Sequence, residues 1–374
     1  MKLLVSIARI FVGVLFIFSG LIKAIDPLGL AYKMQEFFVA WSGDQPMSVT
    51  MTWLNNHALV LSVLMNTLEF GLGVALLIGW QKRLVTWLLL LLMLFFLYLT
   101  GYALFTGKVQ ECGCFGNCIQ LSPIGTFVKD ILLLLLIVFL LIKREYIYPI
   151  VKSIHLVGIF FLSIILISFL QSNALEHLPI IDCLPFKKGN NILELRKMPA
   201  DATFDQYDFS FIYKKNGVEK EFTADNSPDA SWQFVEQRKK LISKGNGKLP
   251  LINDFSLTDM NGSDSTEAVL GQKGEYYLFF IKSLHEANNN WKPAFQELFH
   301  KAKEANRNIY VVTAEPDSVQ DLFNTKGHFN VPVYTCDGIA IKTAARVTPT
   351  IFLMNGPVIQ GKWSWEDVDD GIKN

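Results

Sequence analysis

One run of sequence constrains this chain more than any other feature. Leu88-Leu89-Leu90-Leu91-Leu92-Met93-Leu94-Phe95-Phe96-Leu97 is apolar on every side of a helix, so no amphipathic packing on a water-exposed surface can satisfy it. A bilayer core about 30 Å thick needs about 20 such residues. Five stretches meet that length: 3 to 24, 57 to 80, 84 to 107, 123 to 143 and 153 to 171. The first is longer than a signal-peptide apolar region and lacks a small-residue exit, so it reads as an uncleaved anchor. Charges are 18% of the chain and fall mostly beyond residue 172, so the two halves live in different solvents. Lys plus Arg and Asp plus Glu balance at 34 each, which gives no global excess to attract nucleic acid. There is no internal repeat and no low-complexity tract.

Basic residues in short loops set orientation. Gln81-Lys82-Arg83 joins spans two and three, and Lys143, Arg144 and Lys152 flank the link between four and five. Those links are expected in the cytoplasm. Residues 25 to 56, 108 to 122 and everything after Gln171 then lie outside, which points to a multi-pass protein of the bacterial inner membrane with an extracytoplasmic C-terminal domain.

Charges inside the spans are costly and usually turn inward to pair. Arg9 in span one and Glu69 in span two are expected to form an ion pair, with Lys129 or Asp130 a partner nearer the outer face. The structural role is to lock a four-helix bundle. The functional role is to line a quinone or proton path, which makes Glu69, Arg9, Lys129 and Asp130 candidate cofactor-binding residues.

Between spans three and four stands Glu111-Cys112-Gly113-Cys114-Phe115-Gly116-Asn117-Cys118. Disulfides persist outside the cytosol, and a Cys-Gly-Cys ring is tight, hence easily opened. Cys112 and Cys114 are the candidate exchanging pair and Cys118 the candidate resolving thiol. Other readings stay open: a static bridge from Cys112 or Cys114 to Cys118, a zinc site completed by Cys183, or idle thiols. Five cysteines are an odd number, and Cys183 and Cys336 are either quiet single thiols or a pair.

These residues carry a resemblance. Arg9 through Phe18-Ser19-Gly20-Leu21-Ile22-Lys23, and Leu68-Glu69-Phe70-Gly71-Leu72-Gly73 through Gly79, resemble the first two helices of DoxX-type membrane proteins. Cys112-Gly113-Cys114-Phe115-Gly116, followed by Lys129-Asp130 and a leucine-rich helix, resembles the MauE family of methylamine-utilisation proteins. The resemblance covers about residues 1 to 145 and implies a four-helix membrane bundle that helps disulfide-bearing proteins mature, by analogy with quinone-linked disulfide-forming membrane proteins. A fifth span over 146 to 172 departs from it.

Beyond the membrane, Phe209 to Tyr213 and Val218 to Phe222 flank Asn216-Gly217, a hairpin signal. An amphipathic helix is expected from Ser231 to Ser243, with Glu236 facing Lys240 one turn on. Residues 173 to 248 thus read as a small α+β linker unit with a hairpin. From 249 to 374 strands and helices alternate: a short hairpin around Asn261-Gly262, a strand from Tyr276 to Ile281, a helix from Trp291 to Ala305, a strand from Ile309 to Thr313, a short helix from Asp317 and a strand from Ile351 to Met354. That order implies a parallel core closed by a hairpin. It resembles the thioredoxin fold, with Val347-Thr348-Pro349-Thr350 in the place of that fold's cis-proline loop. Thr348 and Pro349 are therefore candidate substrate-docking residues. The departure is that Ser283-Leu284-His285-Glu286-Ala287 stands where Cys-x-x-Cys would, so this domain has no thiolate of its own there.

Two functions follow. One is a membrane thiol-disulfide oxidoreductase acting on an extracytoplasmic client. The other is a non-enzymatic scaffold with a fixed disulfide and a partner-binding domain.

Overall fold

The computed structural model describes residues 1–43, 46–109, 116, 118–119, 121–150, 152–223, 226–287 and 290–369. Among them, five helices are long and apolar enough to cross a membrane: α1 Lys2–Ile25, α4 Ala58–Ile78, α5 Lys82–Thr106, α6 Pro123–Ile142 and α7 Ser153–His177. These match the five apolar stretches in number and place. Residues 25 to 56, expected as a loop, instead hold two further helices, α2 Pro27–Ser42 and α3 Val49–Asn56. Asp26 starts α2 by accepting from the Gly29 N–H at 3.0 Å, with Pro27 at the first helical position. The aromatic face of α2 packs on α5 through Phe37, Trp41, Tyr98 and Tyr102.

The antiparallel pair α1 and α4 is the tightest in the bundle. A Cβ on Gly20 would lie 2.8 Å from the Phe70 nitrogen, and one on Gly73 2.8 Å from the Ile17 nitrogen. The missing side chains let the backbones meet, as small residues do in membrane helices. Gly13 faces Leu77, Ile17 faces Gly73 and Gly20 faces Phe70, so each step up α1 is a step down α4. That register decides the ion pairs described below.

A three-stranded antiparallel sheet follows, ordered β2-β1-β3, from β1 Gln206–Lys215, β2 Val218–Thr223 and β3 Gln233–Ser243. The Asn216-Gly217 hairpin is present, both residues having positive φ. The expected helix from Ser231 is a correction, since β3 pairs with β1 along its length. Glu236 does not reach Lys240 but pairs with Arg238 at 2.7 Å, because residues two apart share a face of a strand.

The C-terminal sheet has five strands ordered β6-β5-β4-β7-β8: β4 Glu275–Ile281, β5 Asn308–Thr313, β6 Val333–Thr335, β7 Thr350–Asn355 and β8 Val358–Ser364. Strands β4, β5 and β6 are parallel, and β7 and β8 run antiparallel to close the sheet. Tyr276, Leu278 and Phe280 point into one core and Tyr277, Phe279 and Ile281 into the other, which explains a central strand without polar alternation. Trp291, Phe295, Leu298 and Ala302, at helical spacing on the helix Trp291–Glu304, cover the second face. Phe186 and Ile192 enter the first core, so the segment after α7 packs with this sheet and not with the three-stranded one. The Asn261-Gly262 hairpin is reduced to a turn closed by one bridge between Thr258 and Asp264. Thr348–Pro349 is cis.

Candidate functional site at the mouth of the helical bundle

Three groups of residues meet at the end of the bundle where α1 and α5 finish and α6 begins. The first is the cysteine loop. Cys112 and Cys114 lie outside the described residues. Cys118 is described and is bonded to Cys183, with Cα atoms 4.9 Å apart. Cys183 is therefore neither a single thiol nor a partner of Cys336, and Cys118 can act as a resolving thiol only after this bond opens. The bridge spans 65 residues, a closure worth about 4 kcal/mol on chain-entropy grounds. Val109 packs on Phe37 and Ala103, and a Cβ on Gly116 would lie 3.4 Å from the Ile22 side chain.

Cys336 is buried in the sheet core, and desolvation pushes its thiol up to about 12. It should stay unalkylated by N-ethylmaleimide at pH 8 in the native protein and react fully after denaturation, as read by mass. Because the folded value is raised, this group leaves stability level below pH about 9 and lowers it as pH climbs from there toward about 12.

The second group lies inside the bundle. The expected Arg9–Glu69 pair does not form. Arg9 donates instead to the carbonyls of Leu76 at 2.8 Å, Leu77 at 2.5 Å and Tyr148 at 2.8 Å, at the opposite end. Glu69 pairs with Lys23 at 2.5 Å, both side chains only 3% exposed. The register explains the exchange, for residue 69 of α4 falls opposite the end of α1 while Arg9 falls opposite Gly79. Asp130 is fully buried, its Oδ1 2.5 Å from the Lys129 ammonium. Ser19, Lys23, Glu69, Lys129 and Asp130 line one cavity with Phe16, Met93 and Phe96. Its volume is about 20 Å³, room for about one water. The polar groups suit a hydrogen-bonding guest.

The third group seats the α/β region on the bundle. Arg346, on the segment after the helix Gly338–Ala344, pairs with Asp26 at 3.0 Å and donates to the Lys342 carbonyl at 2.6 Å. The Tyr32 ring of α2 sits within 5.6 Å of the cationic groups of Lys282, Lys342 and Arg346. Lys282 also donates to the Tyr32 hydroxyl at 2.9 Å and pairs with Glu286 at 2.5 Å. Burial works against its charge, but Tyr32 and Glu286 together outweigh burial and hold its proton above the ordinary lysine value. Lys362 pairs with Asp182 at 2.8 Å, yet burial keeps its value below the ordinary one. Thr348 accepts from the Lys282 N–H at 3.0 Å, and Pro349 is buried with its carbonyl taking the Trp365 N–H at 3.2 Å. The Thr348-Pro349 loop thus adjoins the residue that grips α2. His285, in the place of the missing thiol motif, is exposed.

Glu69, Lys129 and Asp130 are thereby brought together and Arg9 is not. Lys23, Tyr32, Asp26 and Arg346 went unread in the sequence. Lys23 alone had left a signal, as a charge near the end of an apolar span.

Residues 1–143 match the family model described as methylamine utilisation protein MauE, and residues 207–244 match one described as a domain of unknown function, DUF8463. The latter span is the three-stranded sheet. No match was found among curated proteins or among solved structures. The membrane region is therefore MauE-like over its first four spans, and the chain is a multi-pass membrane protein with an α/β region attached.

Proposed function

We propose that this chain is a membrane thiol-disulfide oxidoreductase whose Cys112 and Cys114 exchange a disulfide with a protein client on the extracytoplasmic side of a bacterial inner membrane. The observation that carries the reading is the Cys118–Cys183 bond. It engages two of the five cysteines, and a third, Cys336, is buried. Cys112 and Cys114 are left as the pair for exchange. The resemblance to the MauE family, whose model matches residues 1–143, implies a role in disulfide maturation and supports the same reading. Lys82, which bonds the Ile147 carbonyl at 3.0 Å, stands with Arg9 at the opposite end, as a cytoplasmic face rich in basic residues requires.

The exchange balances without a cofactor. A client thiolate attacks one sulfur of the Cys112–Cys114 bond and forms a mixed disulfide, releasing the other sulfur as thiolate. A second client thiolate then displaces the bound cysteine. The client leaves with a disulfide, and the pair keeps two electrons and takes up two protons. The α/β region resembles a thioredoxin fold in its strand order and cis proline, but it supplies no thiol at the motif position. Its part is to hold the client over the mouth. The half-buried Thr348, beside the buried Pro349, is the docking point where the loop borders α2.

The scaffold reading has one observation in its favour, because a disulfide and an ionic clasp already tie region to bundle. Thiol trapping on intact membranes separates the two. Exchange expects a mixture of reduced and oxidised Cys112/Cys114 and a trapped mixed disulfide in Cys112→Ser or Cys114→Ser. Complete oxidation that never changes with added dithiol supports the scaffold and sinks the exchange.

A further inference from the structure

We propose that Asp130 is a proton-binding carboxyl, served by a water molecule in the cavity it shares with the Lys23–Glu69 pair and reached from one face of the membrane only. The starting point is an oxygen without a donor. Asp130 is fully buried on α6, about 10 Å along the helix from Pro123. Its Oδ1 has the Lys129 ammonium at 2.5 Å, but its Oδ2 accepts no hydrogen bond from any described residue. An ionised oxygen left in this state among apolar helices costs far more than one that is hydrogen-bonded. Two things relieve it: a donor in the adjoining space, or a proton on the oxygen itself.

The cavity has room for the donor. Its volume of about 20 Å³ takes about one water. The walls supply the several polar partners that such a water needs: Ser19 and Lys23 from α1, Glu69 from α4, and Lys129 with Asp130 from α6. Helix α5 brings Met93 and Phe96, neither of which titrates. Glu69 is already engaged, its Oε2 held by the Lys23 ammonium at 2.5 Å, so of the two acids Asp130 has the oxygen to spare. A water here donates to Oδ2 of the carboxylate. When a proton arrives through that water, Oδ2 takes it, the carboxylate becomes a carboxylic acid and the water is left neutral. No electron moves and no other group is consumed.

The fold sets the direction from which the proton comes. Lys129, on the cavity wall, is 24% exposed in its side chain, so the cavity is open at the mouth of the bundle. Toward the other end Val12, Leu89 and Ile137 are fully buried in one apolar core. Arg9, beyond that core, is bound to the carbonyls of Leu76, Leu77 and Tyr148. A proton that enters from the mouth therefore leaves by the same route. The site is a store that a reaction at the mouth can fill or draw on, and not a path across the bilayer.

The test is carboxyl-carbon NMR on the full chain in detergent, with side-chain-labelled aspartate and glutamate, over the pH range in which the helical signal stays constant. Asp130→Asn assigns the Asp130 resonance. Should that protein not fold, Asp130→Glu assigns it by moving one signal from the aspartate set to the glutamate set. The resonance is expected to move with pH between two limits. In Ser19→Val, whose methyl groups take the place of the water, the proton affinity of Asp130 should change by about tenfold or more, since hydrogen bonds to one protonation state set a buried carboxyl's affinity. A resonance that stays at one limit throughout marks a carboxyl that never exchanges its proton in the folded protein, and overturns the proposal. A titration identical in Ser19→Val removes the water's part and overturns it too. In sealed vesicles with a pH-sensitive dye inside, the wild type should pass no more protons than protein-free vesicles do. A flux above that level would overturn the one-sided site in favour of a conduit.

Discussion

Glu69→Leu should destabilise the folded protein by about 3–5 kcal/mol, the cost of leaving a buried charge without its partner. Lys23 and Glu69 are 3% exposed in their side chains and meet at 2.5 Å. The ammonium shares its cavity with Ser19 and Asp130. It lies 4.8 Å from the centre of the Phe96 ring, and the neighbouring Asn66 donates its amide to the Lys23 carbonyl, not to the side chain. Lys23→Met should cost a similar amount from the other side of the pair. The double variant Lys23→Met/Glu69→Leu should recover most of the loss, since apolar residues of like volume replace a buried pair at little cost. Unfolding in detergent, followed by the helical signal, measures all three. A Glu69→Leu protein as stable as the wild type would mean that the pair carries no charge in the fold, and the double variant would then show no recovery.

The same pair shows what a sequence of this kind does and does not disclose. Length and apolarity fix where the spans lie, because few alternatives exist for twenty consecutive apolar residues, and all five were legible. Pairing across spans depends on which rung of one helix meets which rung of the next. That rung is set by the close approach of Gly13, Gly20 and Gly73, so Arg9 was given a partner it cannot reach. The stretch from Gln233 to Ser243 has a Glu and a Lys four apart, which suits a helix, yet β1 offers it a continuous ladder and tertiary pairing prevails over the local signal. The central strand of the large sheet was legible, being apolar on both faces. Cys118 and Cys183 were visible only as candidates, for nothing local joins residues 65 apart and connectivity does not follow from spacing. The seat of the α/β region on α2 had no sequence signal, since Asp26, Tyr32 and Arg346 look like ordinary surface residues until the fold brings them together.

That seat gives the second large effect. Arg346→Ala should loosen the contact between the α/β region and the bundle by about 3–5 kcal/mol, because it removes a buried guanidinium from Asp26, whose side chain is only 16% exposed. Arg346 is only 5% exposed and makes two different bonds at once, Nε to Asp26 and Nη1 to the Lys342 carbonyl. A lysine has one nitrogen and cannot span both, so Arg346→Lys should rescue only part of the loss. Tyr32→Leu should weaken the contact less, about 1–2 kcal/mol, by removing the ring that Lys282, Lys342 and Arg346 share. Hydrogen exchange in the full-length protein reads the result directly: α2 and residues 338–349 should exchange faster in Arg346→Ala, while β4, which owes its protection to the sheet core, should not change. With the Cys118–Cys183 bond intact the region stays tethered, so the loss should appear as faster local opening. After reduction the same variant should release the region from the bundle and expose the linker after α7 to protease. Unchanged exchange in α2 on both counts would show that the ionic clasp does not hold the region, and that the disulfide alone keeps it over the mouth.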